Sequence, residues 1–207
     1  MIEELVFRII FTALWVVFVS ILTWVRYSTR QPKSEQPPSK EAKKEHLRYM
    51  VALALFAIVW LGGIILYIFI PNLITPLSIP LPDLFRIAMA IITALSIPFV
   101  AWSYLTIGKN WVHALEPSKF LQKEDDKLIT TGPYKYVRNP IYFGCFTFIV
   151  TLALESSNLL VLIPVLVLIA LIYAQIGNEE KMLLDRFGDE YRDYMKQTPR
   201  LIPKIKR

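Results

Sequence analysis

Long apolar stretches alternate with short polar segments along the whole chain. Three of the stretches, residues 5–25, 50–70 and 84–107, each reach the roughly twenty apolar residues that a membrane-spanning helix needs. Two more, residues 141–154 and 159–176, follow in close succession. The polar tetrapeptide ESSN between these two predicts a tight helical hairpin. The pattern therefore predicts an all-α integral membrane protein with about five transmembrane helices.

Lys and Arg are concentrated in alternate polar segments. They crowd the first loop near residues 29–48, the loop that follows residue 107, and the segment after residue 176. The intervening segment PNLITPLSIPLPD contains neither Lys nor Arg. Because short cytoplasmic segments collect basic residues, we predict that the N-terminus lies outside and that the basic loops face the cytoplasm.

The composition supports a membrane protein. Of the 207 residues 55% are hydrophobic, and the mean hydropathy is +0.44. A formal net charge of +6 does not indicate nucleic-acid binding, because the basic residues adjoin apolar segments and form no separate basic domain. The basic first loop instead predicts contact with anionic membrane lipids.

Cysteine and histidine are too sparse for disulfide or metal chemistry. The single cysteine, Cys145, excludes an internal disulfide, and His46 and His113 add no clustered ligand set, so no metal site is predicted. Cys145 lies among phenylalanines on an apolar segment, which indicates a buried, inert thiol. The chain also lacks a GxGxxG phosphate loop, so a Rossmann-type domain is unsupported.

The fourth apolar stretch is preceded by TTGPYKYVRNPIY, a dense polar and aromatic turn. Gly132 permits a positive φ, and two prolines fix the backbone around it. Three tyrosines supply flat faces with hydroxyl tips, Arg138 supplies a forked cation, and Asn139 stands where it can cap the next helix. These features suit either a ligand cradle or an interfacial anchor at the lipid headgroups. The tyrosines are Tyr134, Tyr136 and Tyr142.

A second polar cluster ends the fifth apolar stretch and consists of Gln175, Asn178, Glu179 and Glu180. Gln175 and Glu179 are four residues apart and therefore share one face of a helix. We predict that this face meets the turn across the hairpin, although a solvated helix end has the same composition. Apolar residues then recur at helical spacing to Met195, which predicts an amphipathic interfacial helix or pair of helices with a break at Gly188.

The chain contains two motifs that lie one predicted hairpin apart, LITTGPYKYVRNPIYFG and EEKMLLDRFGDEYRDYMKQTPRLIP. Together they resemble the catalytic core of the isoprenylcysteine carboxyl methyltransferase and phospholipid methyltransferase superfamily. The preceding GKNW resembles a further family element, and the resemblance covers about residues 108–203. It implies a small membrane methyltransferase that binds S-adenosylmethionine at the cytoplasmic face and admits a lipophilic or lipidated substrate from the bilayer. It also implies one membrane domain, 1–207, in which residues 1–107 supply three spans and residues 108–207 form the cofactor-binding core.

The resemblance also implies which residues form the site. Glu179 and Gln175 would be catalytic, and Arg138 would either pair with the cofactor carboxylate or serve a structural pairing inside the turn. The implied cofactor-binding residues are Asp126, Lys127, Leu128, Ile129, Tyr134, Arg138, Asn139, Pro140, Ile141, Tyr142 and Glu179.

Two positions depart from the family pattern. The family commonly has His where this chain has Asn139, and Arg where it has Gln175. A neutral amide cannot replace the paired hydrogen bonds of an arginine, so the case for a prenylcysteine carboxylate acceptor is weaker, and amines, thiols and other lipid-like acceptors stay open. The alternative functions are an NADPH-dependent membrane reductase related to the sterol reductases and a non-catalytic membrane relative. The sequence does not predict an oligomeric state.

Overall fold

The computed structural model describes residues 3–29, 40–108 and 127–203. These residues form helices and connecting loops, and the β-type pairing within them is a single bridge between Ser78 and Asn158. The α-helices of the described residues are, in chain order, α1 (Glu4–Ser28), α2 (Lys40–Phe69), α3 (Pro71–Ile74), α4 (Asp83–Ile107), α5 (Pro140–Ser156), α6 (Leu159–Phe187) and α7 (Asp189–Gln197).

The predicted apolar stretches all form helices. Four helices, α1, α2, α4 and α6, are long and apolar enough to cross a membrane, and α5 is shorter, with 17 residues. Large apolar side chains on the outside of the bundle, such as Ile58, Leu95 and Leu166, are 68%, 65% and 67% exposed. Such outward faces match the hydrocarbon interior of a bilayer. The all-α architecture of the prediction is therefore confirmed.

Helix α4 packs along α5 and α1, and α2 packs along α6. The approach of α4 to α5 depends on Gly144, because a Cβ built there would lie 2.5 Å from Val100 Cγ2 and 3.0 Å from Phe99 Cδ1. Small residues at helix contacts let membrane helices pack closely. Nearby, the rings of Phe18 and Phe148 stack with their centroids 3.8 Å apart, which joins α1 to α5.

A buried arginine ties several helices together at one end of the bundle. Arg86 at the start of α4 donates two hydrogen bonds to Glu4 of α1, at 2.7 and 3.1 Å, and its Nε donates to the Glu155 carbonyl of α5 at 2.7 Å. Tyr67 of α2 also donates to Glu4, at 2.9 Å. The guanidinium lies over the Phe7 ring, 3.7 Å from its centroid. These partners explain how the fold accommodates a charge at a helix end within an apolar bundle.

The hairpin between α5 and α6 turns as the sequence predicts. Ser157 adopts a left-handed conformation with φ of 55°, and the Asn158 side chain caps α6 by accepting from Leu160 N at 3.0 Å. Asn158 also donates to the Ile74 carbonyl at 3.0 Å, which fixes the hairpin to the end of α3.

Consecutive long helices alternate in direction. The Arg86 cluster joins the start of α1, the end of α2, the start of α4 and the end of α5. At the opposite end of the bundle, α4 and α6 therefore end and α5 begins, and we call this the site end. That the site end faces the cytoplasm stays a prediction.

Candidate functional site

The polar turn before α5 is a rigid element at the site end. Its first part, Gly132–Lys135, forms a 3₁₀ turn in which Tyr134 N donates to the Thr131 carbonyl at 3.1 Å. Gly132 has a φ of 57°, and a Cβ there would lie 2.9 Å from Thr106 Oγ1 at the end of α4. Both the backbone conformation and the close contact therefore favour glycine, which agrees with the predicted role of Gly132.

The three tyrosines of the turn have different surroundings. Tyr134 is buried, Tyr136 is 59% exposed, and Tyr142 is half-buried in the first turn of α5. Burial raises the pKa of the Tyr134 phenol well above its ordinary value, and the nearby Tyr104, Tyr194 and Glu179 add to the increase. Tyr134 is therefore a neutral, partly apolar wall close to Glu179, whereas Tyr136 points to the surface.

Glu179 is the acidic centre of the site. Its Oε1 atom accepts a hydrogen bond from the Tyr142 hydroxyl and a second one from Gln175 Nε2 at 3.2 Å. The structure thus brings the turn and the second polar cluster together across the hairpin. Both donors are neutral, so the half-buried carboxylate keeps its position without being neutralised by a bonded cation.

The adjacent Glu180 has a different set of partners. It is 4% exposed and accepts from Arg138 Nε at 3.0 Å and from Arg200 Nε at 2.7 Å. Arg138 Nη1 also donates to the carbonyls of Met195 and Thr198, at 3.0 and 2.6 Å. In this structure the Arg138 guanidinium therefore has a structural pairing, which is one of the two roles predicted for it, and its binding to a cofactor stays a prediction.

Asn139 is the residue before α5, but its side chain does not cap the helix. Its Nδ2 atom instead donates to the Arg200 carbonyl at 2.9 Å and to Glu180 Oε1 at 3.4 Å. The prediction of a side-chain cap is wrong, because the amide is turned toward the segment that follows α7. Pro140 and Ile141 are buried at the start of α5, where Ile141 belongs to the apolar core.

The segment before the turn is only partly described. Asp126 lies outside the described residues, as do Lys109, Trp111 and His113 of the GKNW region. Residues 127–129 are described and irregular: Lys127 is exposed, and Leu128 and Ile129 are half-buried. Their contribution to the site stays a prediction.

Sequence reasoning missed the participation of α7 and of the segment that follows it. Tyr194 donates to the Tyr134 carbonyl at 2.6 Å, Tyr191 is 1% exposed, and Arg200 pairs with Glu180. A usable signal was present, because a glutamate next to a predicted site residue needs a cationic partner once it is buried. Arg200 is 20 residues further along the chain, so the sequence alone did not identify it as that partner.

The sequence profile of the phospholipid methyltransferase family matches residues 85–190, just over half of the 207 residues. The chain belongs to this family. The match extends from α4 into α7 and includes Tyr142, Gln175 and Glu179. It supports the methyltransferase hypothesis over the two alternatives.

Individual relatives are each similar to about half of the chain. A protein-S-isoprenylcysteine O-methyltransferase of Dictyostelium discoideum is 32% identical over 106 residues, 48% of this chain and 41% of the relative. A nickel-cobalt-cadmium resistance protein, NccN, of Alcaligenes xylosoxydans xylosoxydans is 30% identical over 111 residues, covering 54% and 50%. A methanethiol S-methyltransferase of Pseudomonas deceptionensis is 35% identical over 102 residues, covering 48% and 36%. The chain thus aligns with half or less of each of these relatives.

The fold as a whole resembles a solved membrane enzyme. The eukaryotic intramembrane Ras methyltransferase ICMT superposes with a TM-score of 0.58 at 23% identity, over 95% of this chain and 68% of the other. At this identity the likeness concerns the fold. Together with the apolar helices, it identifies the chain as an integral membrane protein.

Proposed function

We propose that the chain transfers the methyl group of S-adenosylmethionine to a lipophilic acceptor at the site end of the bundle. The observation that carries the proposal is the Glu179 carboxylate, which Tyr142 and Gln175 hold within the region that matches the family. Two relatives are named for O- and S-methyl transfer. Their names support the type of reaction and differ in the acceptor.

The residues present fit the polar part of S-adenosylmethionine. Both hydrogen bonds from the described residues to Glu179 end on Oε1, which leaves Oε2 to accept from an ammonium group or a ribose hydroxyl. Tyr134 and Tyr142 supply aromatic faces beside this carboxylate that suit an adenine ring. We expect the remaining wall to come from the segments around these residues, namely Asp126, Lys127, Leu128, Ile129, Asn139, Pro140 and Ile141.

The chemistry asks little of the protein beyond alignment. S-adenosylmethionine supplies an activated methyl group on a sulfonium, whose displacement disperses charge. The side chains therefore need to orient the acceptor and exclude water, rather than form a covalent intermediate. Gln175 and Tyr142 hold Glu179 in place. We propose Glu179 as the base for an acceptor that arrives protonated.

The charges of the site favour some chemical classes of methyl acceptor over others. Gln175 is neutral, and the Arg138 and Arg200 guanidiniums are paired with Glu180. Among the described residues, no cation donates a hydrogen bond to Glu179. A carboxylate acceptor would therefore meet an anion at this point, whereas an amine or a thiol would not. We expect the acceptor to be a lipophilic molecule or a lipidated substrate that enters from the bilayer, with the site facing the cytoplasm.

Binding of the donor product tests the proposal. The detergent-purified protein is titrated with S-adenosylhomocysteine by calorimetry, with NADPH as a parallel ligand. We expect micromolar affinity for S-adenosylhomocysteine that falls by at least roughly tenfold in Glu179→Gln, because a charge-assisted hydrogen bond is lost. The matched control is Glu190→Gln, which makes the same chemical change at an exposed position of α7.

The outcomes separate the hypotheses. Binding that the Glu179→Gln change weakens and the Glu190→Gln change leaves intact supports a donor site at Glu179. Binding of NADPH alone, or no binding of S-adenosylhomocysteine by a folded wild-type protein, contradicts the proposal.

A further inference from the structure

Two neighbouring glutamates of α6 face different parts of the protein. Successive helical residues are about 100° apart around the axis, and Glu179 accordingly meets Tyr142 whereas Glu180 meets Arg138 and Arg200. Glu180 is 4% exposed and accepts from both arginines. Glu180 therefore acts on the rest of the protein through the segments that these two arginines connect.

Arg138 connects the turn to the chain beyond α7. Its guanidinium donates to Glu180 and to the Met195 and Thr198 carbonyls. Its main-chain N–H donates to the Pro199 carbonyl at 2.9 Å. One residue of the turn thus holds one side chain of α6, one carbonyl of α7 and two carbonyls of residues 198–203, which we call the C-terminal segment.

Arg200 closes the connection from the other side. Its Nη2 lies 2.5 Å and its Nε 2.7 Å from Glu180 Oε2, and its own carbonyl accepts from Asn139 at 2.9 Å. The hydrogen bond to Glu180 raises the pKa of Arg200. The Arg200 side chain is 40% exposed, whereas that of Arg138 is 9% exposed. Arg200 is therefore the outer, more accessible member of the network.

The same segment is connected through Tyr194 of α7 to the wall of the proposed donor site. Thr198 N donates to the Tyr194 carbonyl at 2.9 Å, and the Tyr194 hydroxyl donates to the Tyr134 carbonyl at 2.6 Å. Tyr142 and Glu179, by contrast, are held by α5 and α6. Loosening the C-terminal segment should consequently displace Tyr134 while leaving the Glu179 carboxylate in place.

We infer that residues 198–203 form a strap across the turn, and that Glu180 and Arg200 are positioning residues that hold the Tyr134 wall of the donor site through it. This inference rests on the proposed function for its effect on donor binding, but the mechanical part, the attachment of the strap to the turn, does not. Neither residue touches the donor. Their effect acts through Arg138, Asn139 and the Tyr194–Tyr134 contact.

The test uses Arg200→Ala in the full chain, reconstituted in lipid nanodiscs. We expect amide exchange in residues 131–138 and 198–203 to accelerate, while exchange within α5 stays unchanged. We also expect the dissociation constant of S-adenosylhomocysteine, measured well below the melting temperature, to rise roughly tenfold, as for a lost hydrogen bond to a charged group. Arg200→Lys should recover part of the affinity, since the ammonium still pairs with Glu180.

Arg192→Ala is the matched control, because Arg192 is 64% exposed and its ion pair within the described residues is a local one, with Asp189 of the same helix. It should change neither measurement. Glu180→Gln, which weakens both arginine pairs at once, should reproduce the Arg200→Ala pattern more strongly.

The exchange measurement and the binding measurement test separate parts of the inference. Unchanged exchange of residues 131–138 in Arg200→Ala overturns the strap, whatever the protein binds. Faster exchange with an unchanged dissociation constant overturns the positioning role. If wild-type protein does not bind S-adenosylhomocysteine, the proposed function fails, and the exchange measurement still decides whether the strap holds the turn.

Discussion

The pair of donors to Glu179 allows a quantitative prediction. Tyr142→Phe removes the hydroxyl that donates to Oε1, and Gln175→Leu removes the amide that donates to the same atom at 3.2 Å. A hydrogen bond to a charged group contributes about 1.5–3 kcal/mol. We take the lower end for Tyr142→Phe, because Gln175 still holds the carboxylate. The dissociation constant of S-adenosylhomocysteine should then rise roughly tenfold.

Gln175→Leu should have a smaller effect. The amide bond is at the long end of the usual range, so we assign it about 0.5–1 kcal/mol, or roughly two- to fivefold in the dissociation constant. In the double variant the described chain offers Glu179 no donor. Because both bonds end on one oxygen, the combined loss should exceed the sum by about 0.5 kcal/mol or more.

The assay is calorimetric titration of the wild type, both single variants and the double variant under one set of conditions. Tyr173→Phe is the control for Tyr142→Phe, since Tyr173 is a 54% exposed tyrosine of α6. The reasoning is refuted if Gln175→Leu weakens binding more than Tyr142→Phe does. It is also refuted if the two losses add within about 0.3 kcal/mol, because contacts to separate groups behave in that way.

Three further predictions concern stability. Gly144→Val should lower the melting temperature and cost about 1–3 kcal/mol, because even a Cβ would lie 2.5 Å from Val100 Cγ2; an unchanged melting temperature would show that α4 and α5 can separate freely. Arg86→Met should cost about 2 kcal/mol, since it leaves Glu4 without its paired cation and the Glu155 carbonyl without its donor; equal stability in nanodiscs would contradict this. Burial raises the pKa of Tyr191, so stability should fall above pH ~10, where the unfolded phenol loses its proton before the folded one does. Tyr191→Phe should flatten that fall in a denaturant series, and an identical pH slope in the variant would refute it.

The helices could be predicted from the sequence because the bilayer imposes a simple rule. A backbone in hydrocarbon must satisfy its own hydrogen bonds, so an apolar stretch of sufficient length becomes a helix. Local turn chemistry supplied the boundaries: the last two residues of ESSN form the α5–α6 turn with Asn158 as the cap, and Gly188, with φ of 51°, separates α6 from α7. These features depend on neighbouring residues alone.

The end of α6 was less predictable. The apolar stretch stops at residue 176, but the helix continues to Phe187. Polar residues in this extension are retained in the helix because they have partners elsewhere: Glu179 in α5 and Glu180 in the turn and the C-terminal segment. The hydropathy pattern shows where the apolar stretch ends, but it contains no information about those partners.

For the site itself, the sequence predicted which segments of the chain meet, but not the partner of every side chain. The turn and the second polar cluster do come together, through Tyr142, Gln175 and Glu179. The role of Asn139 as a side-chain cap was not correct, because the capping preference of asparagine is local, whereas the Asn139 amide is oriented by its donation to the Arg200 carbonyl, 61 residues away in the sequence. Long-range competition of this kind decides which of several good local partners a polar side chain takes.

The division between the two glutamates follows from charge. Arg138 and Arg200 both form ion pairs with Glu180. One carboxylate therefore satisfies two guanidiniums, and an unpaired guanidinium would be costly. Glu179, at the proposed donor site, accepts instead from two neutral donors, and among the described residues no cation donates a hydrogen bond to it. A cationic sulfonium and an ammonium are attracted to such a site, whereas a strongly cationic site would repel them. The pairing of Glu180 with both arginines is thus what allows two basic residues to lie beside the site without neutralising Glu179.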